Sequence, residues 1–468
     1  MSDLESIFHP KSIAIVGASP NPARVTNRFY LYPLLQFGYE GKIYPIHLTA
    51  REIAGLKVYP SIMDVPGPVD HVSCAIRADL TPQLMRQCVA KGVKLIQIYT
   101  SGFSETGQEK GIRLENEIAE IARRGNVRVL GPNCMGIYCP GSKIAYIDYF
   151  SKEGGNVGLL SQSGGNSMEV VQIGNSRGVY FSKVVSYGNA CDINEAELLE
   201  YFTHDPQTKI IIGYIEGTRD GRRFINVLRE ATRAKPVIML KGGTTEAGTK
   251  TAASHTGSLA GSNVIWESFF RQLGVMQVSD LEELIDLTLL FQHFKPLRGR
   301  KLGLVGSGGG ASVLITDSCE RERLIVPPFP EEIRRRFREI VPEELDPGSI
   351  VHNPLDFSTS WPRPGVVPAL LETTAKYDGI DFILIYFGLG PGIDERITKV
   401  IDPIIETRRN FGKPIAMVLR YNQAPQEGKL AVDLQRSCAA GGIPVFTSFD
   451  RAARAINRFV RYYEQRQS

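Results

Sequence analysis

The sequence predicts an α/β protein made of three doubly wound parallel-sheet domains. Short apolar, β-branched runs alternate along the chain with helix-length segments, the pattern of parallel strands joined by crossover helices. A strand, a glycine-bearing loop and a helix follow one another near residues 12–37, 156–167 and 302–321. A length of 468 residues accommodates about three domains at ~150 residues each. The expected divisions are 1–150, 152–296 and 299–468.

Hydrophobic residues make up 43% and charged residues 22%, enough to bury several ordinary cores. The formal charge of +4 is small for this length. It gives no reason to invoke nucleic acid, and it does not oppose binding of a polyanionic ligand. The seven cysteines contain no CxxC pair and no zinc-ligand spacing, so no metal site is expected and reduced thiols in a cytoplasm are. The N-terminus, MSDLESIFHPKSIAIVG, has early acidic residues and a short apolar run, unlike a secretory signal. No stretch approaches the ~20 apolar residues of a membrane span.

In the first domain, Ser12 to Val16 reads as a strand that turns at Gly17-Ala-Ser19 into a loop before a helix from about Asn27 to Phe37. Further strands are expected at Lys42–Ile46, His71–Ile76, Lys94–Tyr99 and Val127–Leu130, with helices at Pro82–Lys91 and Gln108–Arg124. Ligands should collect at the carboxyl ends of such strands. The loop GASPNPAR, residues 17 to 24, fails as a dinucleotide fingerprint, because Ser19 and Pro22 stand where glycines are needed. A plain strand-to-helix turn stays open.

In the second domain, Asn156–Leu160 reads as a buried strand. Ser161-Gln-Ser-Gly-Gly-Asn166 opens a helix expected from Ser167. Unpaired amides at such a helix start suit an anion, although ordinary N-capping explains the serines equally. Strands at Tyr180–Ser186, Lys209–Ile215 and Pro236–Leu240 follow, with a helix at Ile193–Phe202. Glu216 stands just beyond a buried strand, where a carboxylate can meet a side chain at the sheet's active edge or simply be solvated.

The stretch Lys241–Ser262, KGGTTEAGTKTAASHTGSLAGS, lies between a strand and a helix beginning near Asn263. Its glycines and hydroxyls predict a movable loop. One imidazole, His255, sits among Thr251, Ser254, Thr256 and Ser258. A histidine there can be a nucleophile near pH 7 or an ordinary surface residue.

The third domain begins after Arg298-Gly-Arg-Lys301. A strand at Leu302–Val305, the loop Gly306-Ser-Gly-Gly-Gly310 and a helix expected from Ala311 to Arg321 make another anion-binding arrangement. Strands at Phe382–Phe387, Pro414–Leu419 and Pro444–Phe446 complete the unit.

These motifs together resemble one family. SHTGSLAG at 254–261 looks like the phosphohistidine loop of the nucleoside-diphosphate-forming acyl-CoA synthetases, the ADP-forming acetate–CoA ligases related to succinyl-CoA synthetase. Gly131-Pro-Asn-Cys-Met-Gly136 matches its GPNCxG element, Tyr99–Glu105 its pantetheine loop, and Asn353-Pro-Leu-Asp356 its NPxD element.

The resemblance implies a Rossmann-like CoA-binding domain followed by two flavodoxin-like domains. It implies His255 as the phosphoryl carrier and Glu216 as the carboxylate that orients its imidazole. Ser161, Ser163, Gly164 and Gly165, with Gly308 and Gly309, become phosphate-facing. Gly17, Ala18, Ser19, Arg24, Thr100, Ser101, Gly102 and Asn133 become CoA-facing, while Cys134 stays as open to packing as to chemistry. Departures stand at Val25-Thr26, at Ile46-His-Leu48 and in the loop 306–310, where relatives carry other residues.

The implied reaction interconverts acid, CoA and ATP with acyl-CoA, ADP and phosphate through acyl phosphate and phosphohistidine. No segment resembles an ATP-grasp domain, and no GxxxxGK[ST] loop replaces it. A separate ATP-grasp β subunit holding ATP or ADP and Mg²⁺ is therefore implied, in an α₂β₂ assembly with no membrane or nucleic-acid partner. The acid is left open among acetate, branched and aryl acids. A CoA-binding regulator without turnover and a nicotinamide oxidoreductase are the rival readings.

Overall fold

The computed structural model describes residues 4–256, 262–297, 299–306, 308–341, 351–356, 365–389, 394–420 and 425–466, without the side chains of 252–256, 394–400 and 425–427.

The first sheet comprises β1 (Ser12–Val16), β2 (Lys42–Ile46), β5 (His71–Cys74), β6 (Leu95–Ile98) and β7 (Arg128–Leu130). A two-stranded hairpin, β3 (Glu52–Ile53) and β4 (Leu56–Lys57), lies between β2 and β5 in the chain. The sheet order is β2-β1-β5-β6-β7, and every pair is parallel. All five residues of β1 are buried, as a strand covered on both faces requires. The order reverses between β1 and β5, so the loops leaving those strands part and open a crevice at their carboxyl ends. Gly17 ends β1 at that point with φ 94°. A Cβ there would sit 2.9 Å from the Ala75 carbonyl oxygen, so the position takes glycine alone.

The second sheet comprises β8 (Gly136–Tyr138), β9 (Val157–Ser161), β10 (Phe181–Ser186), β11 (Ile210–Ile215), β12 (Val237–Lys241) and β13 (Met276–Val278). Its order is β13-β12-β11-β9-β10-β8. The strands are parallel except β8, which runs antiparallel to β10. The edge strand β8 thus comes from a segment before residue 152.

The third sheet comprises β14 (Leu302–Gly306), β15 (Leu355–Asp356), β16 (Phe382–Gly388), β17 (Ile415–Arg420) and β18 (Val445–Phe446). It has the parallel order β15-β14-β16-β17-β18. The chain forms two compact units. Met1–Asn175 with Tyr180–Leu284 carries the first two sheets, and Ser176–Val179 with Ile285–Ser468 carries the third. Among the described residues no helix is long and apolar enough to cross a membrane.

Three local expectations change. The helices expected from Ser167 and Ala311 begin at Gly164 and Gly309, so the glycines form their first turns instead of preceding them. The movable loop expected after Lys241 is, over Glu246–Thr256, an α-helix. Thr245 caps it, its hydroxyl accepting the Gly248 N–H at 3.1 Å. Glu246 suits the helix start, Lys250 pairs with it one turn on at 2.9 Å, and alanines at 247, 252 and 253 supply propensity. Glycine and threonine content outweighed these signals in the sequence reading.

His71, at the start of β5, is 1% exposed. Burial pushes its imidazole down from 6.5 to about 4, against opposing contributions from Gln97 and Asp70. Between those values the unfolded chain binds a proton that the folded chain refuses, so stability is complete above pH 6.5 and lost as pH falls toward 4. The loss reaches about 3 kcal/mol. Urea midpoints measured from pH 7 to pH 4.5 should fall along that window, and His71→Leu should flatten the slope by about one proton.

Candidate active site

In the first unit the loops leaving β1, β5, β6 and β7 meet at one edge. The 17–24 loop is tied by Asn27, whose Oδ1 accepts the Ser19 N–H at 3.1 Å and whose Nδ2 donates to the Ser19 carbonyl at 2.7 Å. The Ser19 amide is therefore already engaged. Ala18 is buried and Arg24 exposed, one turn from the Asn27 helix start.

Thr100 donates its hydroxyl to the Ile76 carbonyl at 2.5 Å, and its own carbonyl accepts the Asn133 N–H at 3.0 Å. Ser101 is exposed. Gly102, at φ 107°, gives its N–H to Glu105 at 2.5 Å. Asn133 sits at φ 57° after the cis Gly131-Pro132 bond, its Nδ2 3.5 Å from Asn189 Oδ1. Thr100 and Asn133 are thus brought together. Cys134 packs its Sγ against the Ile98 and Leu130 carbonyls, and burial pushes the thiol up to about 12. That environment suits packing, not a thiolate nucleophile.

The sequence reading missed a polar hub beneath this edge. Glu115, 3% exposed, accepts the Ser104 hydroxyl at 2.6 Å, Asn189 Nδ2 at 2.9 Å and an Arg219 nitrogen at 2.7 Å. Arg219 also donates to the Asn189 carbonyl at 2.9 Å, and Asn189 to Glu105 at 2.5 Å. The hub joins the 99–105 loop to the loops after β10 and β11. No motif flags it, because its members lie far apart in the chain.

Around β9 the Ser161 hydroxyl donates to the Ser163 carbonyl at 2.7 Å, and the Ser163 hydroxyl caps Asn166 N–H at 3.2 Å. Gly164 and Gly165, the first residues of helix Gly164–Ser176, lack intrahelical acceptors by position. Gly165 is exposed. Their amides are the ones an anion can reach.

Glu216 follows β11 and is 8% exposed. Its Oε1 accepts the Tyr214 hydroxyl at 2.9 Å. The Gln162 side-chain oxygen accepts the N–H groups of Glu216 at 2.8 Å and of Gly217 at 3.2 Å. Its Oε2 is buried with no partner among the described residues. Lys241, in register with Ile215, is lowered by burial and raised in part by Glu216. Its Nζ lies 5.3 Å from the Trp266 ring centre.

Helix Glu246–Thr256 packs against the turn Ser104–Thr106. His255 belongs to its last turn. The His255 side chain and residues 257–261, Ser258 among them, lie outside the described residues. Among the described residues no group of three or more His, Cys, Asp or Glu side chains is arranged to hold a metal ion.

In the second unit Gly308 caps helix Gly309–Arg321 at φ 104°. Its N–H donates to Asp356 Oδ1 at 3.0 Å, so this chain's own carboxylate already meets that amide. Asn353 accepts the Leu304 N–H at 2.9 Å and donates to the Leu302 and Pro327 carbonyls at 2.7 and 2.8 Å. It pairs with β14 as a strand residue would. Both polar residues of the NPxD element therefore hold up the β14 loop.

The CoA-binding domain profile matches residues 11–140, and that of the succinyl-CoA ligase like flavodoxin domain matches residues 154–291. The acetate–CoA ligase (ADP-forming) I subunit alpha of Pyrococcus furiosus is 32% identical, over 98% of this chain and 97% of the relative. The chain belongs to the nucleoside-diphosphate-forming acyl-CoA synthetase family. As a member it is an enzyme of the acid–thiol ligase class, with a CoA-binding domain at its N-terminal side.

An acetate–CoA ligase (ADP-forming) of Methanocaldococcus jannaschii is 39% identical over 76% of this chain, which spans about half, 49%, of that relative. A solved structure of the dinucleotide forming acetyl-coenzyme A synthetase 1 of Ca. Korarchaeum cryptofilum, in complex with phosphate and ADP, superposes with a TM-score of 0.83. The two are 30% identical, with 100% of this chain and 98% of that chain covered.

Proposed function

We propose that this chain is the α subunit of an ADP-forming acyl-CoA synthetase that relays phosphorus through His255. The observation that carries the reading is Glu216, a buried carboxylate with one oxygen held by Tyr214 and the other without a partner among the described residues. A buried, unpaired carboxylate oxygen is costly to leave empty. An imidazole N–H would fill it and fix the ring's tautomer for attack by the other nitrogen.

In the acyl-CoA-consuming direction, phosphate oxygen bonds to the thioester carbonyl carbon and the C–S bond breaks, releasing CoA and leaving an acyl phosphate. The free ring nitrogen of His255 then bonds to phosphorus as the acyl-oxygen–phosphorus bond breaks, and the carboxylate departs. The proton on the Glu216-facing nitrogen stays in place. ADP finally takes the phosphoryl group.

Thr100, Ser101, Asn133 and the Gly17–Arg24 loop are proposed to face CoA. Gly17 lets the backbone approach, Arg24 offers charge, and the tied Ser19 and Gly102 amides shape the loops. Gly164 and Gly165 are proposed to offset the phosphohistidine charge, by about 1 kcal/mol for a helix terminus. Gly309, at the start of its own helix, is proposed to face phosphate, with Gly308 setting the turn. ATP or ADP and Mg²⁺ are proposed to sit on an ATP-grasp β subunit in an α₂β₂ assembly. The relative named as a subunit alpha, matched end to end, supports that division. Seven free cysteines suit a cytoplasmic location.

The test is chemical. Incubation with acetyl-CoA, or an aryl-acyl-CoA, and labelled inorganic phosphate should leave acid-labile, base-stable label on the peptide bearing His255. No label on that peptide with either acyl-CoA overturns the reading. CoA at about 100 times its Kd should stabilise the chain by about 2.7 kcal/mol, read as a rise in melting temperature, whereas NAD should leave it unmoved. A shift with NAD alone would favour the oxidoreductase.

A further inference from the structure

We infer that Tyr214 and Gln162 are positioning residues for phosphoryl transfer, holding Glu216 so that its Oε2 alone is left for the imidazole. The inference rests on the proposed role of His255 and Glu216.

Gln162 is the first residue past β9, and its N–H donates to the Tyr214 carbonyl at 3.1 Å. Its side-chain oxygen then takes the first two amides past the end of the neighbouring strand, those of Glu216 and Gly217. The side chain continues the sheet ladder one step past its end. This pins the backbone where the strand would otherwise fray.

Side chains two residues apart on a strand share a face, so Tyr214 reaches Glu216, and its hydroxyl proton goes to Oε1 at 2.9 Å. Burial, with Glu216 beside it, pushes the phenol well above its ordinary value, so it stays a donor. The Asn166 side chain beside the phenol opposes that rise.

Gly242 closes the arrangement from the next strand. A Cβ there would lie 2.4 Å from the Tyr214 hydroxyl oxygen and 3.3 Å from Glu216 Cγ. Any side chain at 242 must displace the phenol.

The experiment uses the full chain, labelled phosphate and whichever of acetyl-CoA or aryl-acyl-CoA labels the parent protein. Tyr214→Phe and Gln162→Met should each slow labelling of His255 roughly ten- to a hundredfold, as small misplacements do, with the KM for acyl-CoA unchanged. Gly242→Ala should copy Tyr214→Phe by displacing the phenol, although it removes no polar side chain. Tyr214→Phe combined with Glu216→Gln should label no more slowly than Glu216→Gln alone.

Labelling of Tyr214→Phe at the parent rate, or independent multiplication of the two losses, would sink the positioning role. Failure of the underlying reading looks different, because then the parent carries no label on the His255 peptide, or Glu216→Gln labels at the parent rate. Melting temperatures within a few degrees of the parent separate misplacement from misfolding.

Discussion

His255→Asn is expected to abolish the base-stable, acid-labile phosphate and to lower overall turnover by roughly a thousandfold or more, as loss of an attacking side chain does. Asparagine offers no nitrogen that can carry phosphorus at neutral pH. The change falls in the last turn of helix Glu246–Thr256, where its propensity cost is below about 1 kcal/mol, so the fold should persist. The first half-reaction does not use the ring. Hydroxylamine should therefore still trap acyl phosphate from acyl-CoA and phosphate, while no label reaches the protein. Loss of both half-reactions would place His255 in substrate binding instead.

Glu115→Ala is expected to destabilise the first unit by about 3 kcal/mol, the low end for removing one member of a buried ion pair. The low end applies because Arg219 is 47% exposed and can turn to water. Asn189, 5% exposed, keeps only part of its bonding, and Ser104 loses its acceptor. Since the Ser104–Thr106 turn supports helix Glu246–Thr256, the KM for CoA and the rate of His255 labelling should worsen together. Urea unfolding and initial-rate kinetics check the two halves. A variant as stable as the parent with unchanged kinetics would show that the hub carries no load.

Much of the framework was legible because burial in a parallel sheet demands continuous apolar runs. Ser12–Val16, Lys42–Ile46 and Phe382–Phe387 advertise their strands in composition alone. Glycine loops after Ser12–Val16, Asn156–Leu160 and Leu302–Val305 marked the strand ends where a ligand was expected. Strand β8, three residues long and antiparallel, was illegible, since so short a run has no period and its pairing is decided by a distant partner. Helix Glu246–Thr256 was hidden by its own glycine and hydroxyl content, although its Thr245 cap was there to read. Tyr214 was within reach too, two residues before Glu216 on a strand and hence on its face.

The linear order of residues determined the three α/β sheets, the switch-point glycine at 17 and the chemical types available, imidazole, carboxylate and glycine amides. These follow from periodicity and backbone sterics, which are local. Tertiary structure decided which of those groups remain free to act. Asn27 closes the Ser19 amide and Asp356 that of Gly308, whereas one oxygen of Glu216, beside Gln162 and Tyr214, has no partner among the described residues. Hydrogen-bond capacity is finite and is allotted by neighbours brought close only on folding, and no reading along the chain can count it.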